Sequence, residues 1–127
     1  MERWRTLGHV LGFGAIYDSV FGLAILAATR PVAALFGLTV PDDPLYLGLN
    51  GVFLLILGGI YGMAAFDPER FGPIAPFAAA GRVLGCALFV RAWALGGPPA
   101  FLGLGLADLA IGMVTFAAWR RANALSH

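Results

Sequence analysis

The chain predicts an all-α integral membrane protein. Its single domain, residues 1–127, is expected to hold four transmembrane helices in an up-down-up-down bundle, with a short interfacial helix after the first. Three observations lead there. The apolar runs 7–28, 45–66, 74–95 and 100–119 each match the roughly 20 residues that span a ~30 Å hydrocarbon layer. With 60% hydrophobic and only 12% charged residues, a water-soluble domain of this length would leave much of its surface apolar. Turn-forming clusters separate the runs, and each run carries a polar residue inside it.

The first run lies behind Arg3 and Arg5, which fit the basic front of a signal peptide. It is long for such a segment, holds Asp18 and lacks an A-x-A exit, so it reads as a retained helix. Arg30-Pro31 is expected to end it, because the residue before a proline avoids the α region. Segment 32–38 (VAALFGL) is too short to span and is expected to lie along the interface, over the mouth of the bundle. Pro41-Asp42-Asp43-Pro44 makes a rigid polar stop before the second run. Asp67-Pro68-Glu69-Arg70, closed by Gly72-Pro73, separates the second from the third, and Gly96-Gly97-Pro98-Pro99 turns the third into the fourth. Links this short make neighbouring helices antiparallel. Gly8-x3-Gly12, Gly58-x3-Gly62 and Gly81-x3-Gly85 place small residues one turn apart, which lets helices approach closely. Packing inside the bundle is their first reading and a homodimer seam their second.

All cations are arginines, and their placement orients the chain. With a cytoplasmic N-terminus, Arg3, Arg5, Arg70, Arg120 and Arg121 fall inside, while Arg30 falls outside with Asp42 and Asp43. Both termini are therefore expected in the cytoplasm. Trp4 and Trp119 would then mark the inner interface, and Tyr46 and Trp93 the outer one. The absence of lysine, with abundant Gly, Ala, Leu and Pro, fits a GC-rich bacterial genome and hence a bacterial cytoplasmic membrane.

Several function classes find no footing. Cys86 is the lone cysteine, so it forms no intrachain disulfide and reads as a small packing residue. His9 and His127 form no metal-ligand cluster. There is no Gly-rich phosphate loop, nucleophile elbow or basic arm for nucleic acid. No catalytic residue, metal or cofactor is assigned, and an enzyme is not expected.

Attention falls instead on the intramembrane polar residues. An ionisable group at mid-membrane depth costs roughly 2.5–3.5 kcal/mol on insertion scales, so a partner is needed. At 1.5 Å rise per residue, Asp18 and Asp108 lie roughly 16 Å from the cytoplasmic ends of their runs and Arg82 about 12 Å. An arginine side chain bridges that offset, so an Asp18–Arg82–Asp108 cluster is expected. Small residues flank each member: Gly14, Ala15 and Gly22 beside Asp18, Ala78 and Gly85 beside Arg82, Gly105 and Gly112 beside Asp108. Asn50 shares a stripe with Leu54, Leu57, Gly58 and Tyr61, so Asn50 and Tyr61 are expected on one interior wall. Tyr17 is a further hydrogen-bond donor beside Asp18. Arg91 points away from Arg82 and sits near the outer boundary, where it can snorkel. The cluster reads either as a structural ion pair or as a ligand or proton site. Its second carboxylate favours the latter, since one guanidinium balances only one. Asp18 and Asp108 also share an Asp-x3-Gly pattern, but two common residues do not make the inverted repeat of a transporter.

Arg30-Pro31…Leu35-Phe36-Gly37, Leu49-Asn50-Gly51…Leu57-Gly58, Tyr61…Asp67-Pro68-Glu69-Arg70 and Gly81-Arg82 together resemble small bacterial four-helix membrane proteins of the DoxX-like kind, over nearly the whole chain. The resemblance implies a four-helix inner-membrane protein and brings no defined catalytic residues. Small multidrug-resistance transporters match in length and helix number. Their mid-helix-one acid is a Glu in a different local sequence, and they lack a counterpart of Arg82.

The functional expectation is a non-enzymatic bundle in contact with the lipid bilayer. Its polar interior would bind a small amphipathic ligand, or the chain would serve as an accessory subunit of a homodimer or larger membrane complex. The alternative is a proton-coupled transporter working as a dimer, with Asp18 or Asp108 carrying the proton.

Overall fold

A computed structural model of the chain describes residues 2–125. In order, its helices are α1 (Glu2–Ala27), α2 (Thr29–Leu35), α3 (Leu45–Phe66), α4 (Pro68–Phe71), α5 (Ile74–Ala94) and α6 (Pro99–Leu125), with no strand among the described residues. Four of them, α1, α3, α5 and α6, are long and apolar enough to cross a membrane. Large apolar side chains such as Ile16, Phe53, Phe77 and Leu88 point outward along them. A surface of that kind suits lipid, and the protein is a membrane protein.

The α1 break differs from the expected one. Helix α1 stops at Ala27, Ala28 leaves the helical region at φ −138°, and Pro31 lies inside the first turn of α2. A proline ring clashes with the carbonyl four residues before it, here Ala27, so the chain bends between the two. In a first turn the missing N–H costs no hydrogen bond. Helix α2 ends in a Schellman motif on Gly37 at φ +69°: Leu38 N–H donates to the Ala33 carbonyl (2.8 Å) and Gly37 N–H to that of Ala34 (3.2 Å). The third run ends the same way. Gly96 at φ +101° lets Gly97 N–H donate to Ala92 (2.9 Å) and its own N–H to Trp93 (3.0 Å). Between the second and third runs, Asp67-Pro68-Glu69-Arg70 is more than a separator. Pro68 starts α4, and the Asp67 carboxylate accepts from Arg70 N–H at 3.3 Å.

Two helix pairs make the closest contacts, α1 with α3 and α5 with α6, and α1 packing on α6 joins them. Within each pair the contacts run in opposite chain order. A Cβ on Gly8 would meet the Ala65 carbonyl at 3.1 Å, one on Gly58 the Ser19 hydroxyl and the Ala15 carbonyl, and one on Gly22 the Gly51 carbonyl at 2.8 Å. Across α5 and α6, Gly112 faces Ala79 and Arg82, and Gly105 faces Cys86. The glycines of the first two G-x3-G stripes therefore face the α1–α3 seam. Gly81 is different, because a Cβ there would meet nothing within 4 Å.

Near Trp4 the bundle is sealed by Trp4, Leu7, Leu11, Ala64, Ala75, Ala118 and Ala122. Trp4, expected as an interface anchor, is instead buried in this core. It lies across Gly72, where a Cβ would come within 3.0 Å of its ring. Toward the opposite end the space between the helix pairs is open.

Candidate functional site

Between the helix pairs lies a large cavity, about 790 Å³. All six residues singled out in the sequence line it: Tyr17 and Asp18 from α1, Asn50 and Tyr61 from α3, Arg82 from α5 and Asp108 from α6. Its walls are apolar, with Phe21 and Ile25 on α1, Leu54 and Leu57 on α3, Phe89 on α5 and Leu104 on α6. From α2 and its C-cap come Thr29, Val32, Ala33 and Phe36, whose spacing is one helix face, followed by the chain from Gly37 to Thr39.

The ion cluster forms the polar part of the lining. One nitrogen of Arg82, Nη1, lies 2.9 Å from Asp18 Oδ1 and 3.0 Å from Asp108 Oδ1, and donates a hydrogen bond to the latter. Side-chain exposure falls from 15% for Asp108 to 10% for Arg82 and 2% for Asp18. Asp18 sits on the buried stripe of α1 that runs through Leu11, Gly14, Ala15 and Gly22. The Asp18 Oδ1 contact is an ion pair without hydrogen-bond alignment, and Arg82 Nη2 is buried without a hydrogen-bond acceptor. That second nitrogen points toward Gly14, lying 3.4 Å from where a Cβ would stand. Behind the guanidinium is a second void of about 10 Å³, lined by Gly14, Tyr61, Arg82 and Thr115 among others. The Tyr17 ring centroid lies 5.4 Å from the Arg82 guanidinium carbon, within cation–π range.

Chemically, the site combines a deep apolar volume with two carboxylates and one guanidinium. Asn50 lies on the exposed side of its wall, whereas Tyr61 is buried against Ala15 and Ala78. They share a wall at different depths, as their eleven-residue spacing implies. Gly58, on the same stripe, packs against α1 instead. Arg91 and His9 are exposed and do not line the cavity. His127 lies outside the described residues. Among the described residues, no three His, Cys, Asp or Glu side chains converge as metal ligands.

Sequence reasoning missed the aromatic line along the cavity. Tyr17 packs on Phe21 with centroids 4.8 Å apart, and Phe21 on Phe36 at 5.9 Å, tying α1 to α2. Phe89 meets Phe101 at 5.8 Å on the opposite side. The four-residue spacing of Tyr17 and Phe21 was a usable signal; the link to Phe36 depended on the bend at Ala28. Gly81 was missed too, because a glycine facing a cavity has the same sequence signature as one facing a helix.

No family model, curated protein or solved structure matches this chain.

Proposed function

We propose that this chain is a small, non-enzymatic protein of a bacterial cytoplasmic membrane that binds an amphipathic molecule in the cavity between its helix pairs. The observation that carries the reading is the junction of an apolar volume of about 790 Å³ with the Asp18–Arg82–Asp108 cluster. Drug-sized ligands occupy pockets of roughly 300–1,000 Å³ lined mostly by apolar groups, with a few polar groups to orient them. Here the apolar body would lie against Phe21, Leu54, Leu57 and Phe89, with the polar end at the cluster. Both termini face the cytoplasm in this reading, on the five-to-one arginine bias, which turns the cavity mouth outward. Service as an accessory subunit uses the same site to hold a molecule for a partner. DoxX-like kinship remains part of the proposal, on the motifs around Pro31, Asn50 and Arg82.

Proton-coupled transport by a dimer is the second reading, favoured by the extra carboxylate. It requires α1 and α6 to part at Trp4, Leu7 and Ala122, which close the bundle below the cluster.

Gly81→Leu tests the binding reading. Gly81 lines the cavity and nothing stands within 4 Å of a Cβ there, so a larger side chain at this position takes up ligand space. Native mass spectrometry of the gently solubilised protein should show a bound small molecule in the wild type and lose it in the variant. Equal loading of the two, or none in either, would end the proposal.

A further inference from the structure

We propose that the cavity selects a single positive charge: its occupant is a compact or single-chain cationic amphiphile, with the cation set against Asp108. This rests on the amphiphile-binding reading and narrows it to one charge class. The charged side chains lining the cavity are Asp18, Arg82 and Asp108, so its formal charge is one negative unit. In an apolar surrounding that charge needs a counterpart.

The positive member of the cluster is closed to an anion. Arg82 Nη1 already holds both carboxylates, Nη2 is buried on the Gly14 side, and the Tyr17 ring stands 5.4 Å from its carbon. Asp18 is closed as well, at 2% exposed. Asp108 is the accessible member. Its Oδ1 binds Arg82, while Oδ2 rests in the gap left by Gly85, 2.9 Å from where a Cβ would stand. Phe21 and Phe89 line the same cavity, and aromatic rings attract a cation more than a neutral group. The size of the cavity, within the roughly 300–1,000 Å³ of pockets for drug-sized ligands, favours one chain or a compact body over a two-chain lipid.

The test compares three probes on the full chain in zwitterionic nanodiscs. They are dodecyltrimethylammonium, its uncharged isostere with carbon in place of nitrogen, and dodecanoate. Titration calorimetry is run on the wild type and Asp108→Asn, with Gly81→Leu giving the baseline for partition into lipid. The cation should bind the wild type at least tenfold more tightly than either other probe. In Asp108→Asn that preference should fall below threefold, while the isostere changes less than twofold. Equal binding of cation and isostere would mean that a proton, not the ligand, balances the second carboxylate, and would overturn the inference while leaving amphiphile binding in place. Tightest binding of dodecanoate would overturn it too. If no probe exceeds the Gly81→Leu baseline, the amphiphile reading itself fails. The wild-type comparison stands whether or not the Asn variant folds.

Discussion

Arg82→Ala removes the one cation of a cluster that holds two carboxylates, and the structure sets the size of the loss. Asp18 is 2% exposed and has almost no access to water, and Asp108, at 15%, has only partial access through the cavity it lines. Breaking one partner of a buried pair typically costs about 3–5 kcal/mol, because the other charge is stranded. Here both carboxylates are stranded, 2.9 and 3.0 Å from the lost nitrogen and therefore close to each other. The variant also loses the cation–π contact with Tyr17. The expected destabilisation is at least ~4 kcal/mol. Combining Arg82→Ala with Asp18→Asn and Asp108→Asn removes the stranded charge and should recover about 2 kcal/mol or more, since a neutral replacement of a buried ion pair is often tolerated. Reversible unfolding in mixed micelles, followed by far-UV circular dichroism, measures both. A loss below ~1 kcal/mol, or a triple variant no more stable than Arg82→Ala, would refute the pairing argument.

Glycine substitutions should split by what the new Cβ meets. Gly22→Ala drives a methyl to 2.8 Å from the Gly51 carbonyl and should cost about 1–3 kcal/mol, whereas Gly81→Ala meets nothing and should gain roughly 0.5–1 kcal/mol in the same unfolding assay. Cysteines introduced one at a time along 32–38 in a Cys86→Ala background should react with a water-soluble maleimide at 34 and 35 and resist at 33 and 36; uniform reactivity would remove α2 from the cavity wall. A reporter active only in the periplasm, fused after His127, should stay silent; activity would reverse the proposed orientation.

The spans were legible because each boundary has a local cause. Helix α3 covers Leu45–Phe66 as read, with Pro44 before it and the Asp67-Pro68 cap behind it. Pro31 was misplaced because the visible rule acts on the preceding residue, while the ring's clash with the Ala27 carbonyl sets the bend. The meeting of Asp18, Arg82 and Asp108 was legible from helical rise and the small residues beside each. The cavity was not. Its existence depends on bulk along the helices, Trp4 and Leu7 closing one end and Gly81 and Gly85 thinning the wall at the other, and on which neighbour each glycine faces. A sequence lists sizes but not opposing surfaces.

The three charges are not equivalent, and this gives the means of separating structure from function. Asp18 belongs to the α1–α3 pair, whereas Arg82 and Asp108 belong to the α5–α6 pair, so the Asp18–Arg82 contact ties the two pairs together. Asp108 is bonded to Arg82 within its own pair and is the most open member. Asp108→Asn leaves one buried cation with one buried anion and relieves the repulsion between carboxylates, so its stability should lie within about 1 kcal/mol of wild type. Asp18→Asn also keeps one anion, but removes the ion pair between helix pairs at the most buried position, and should lose about 3 kcal/mol, the low end of what breaking a buried pair costs. A site shared with a ligand then predicts opposite rankings: Asp108→Asn milder in unfolding and more severe in ligand binding, Asp18→Asn the reverse. Equal losses of stability and binding in both variants would identify the cluster as an ion pair that only holds the helices together.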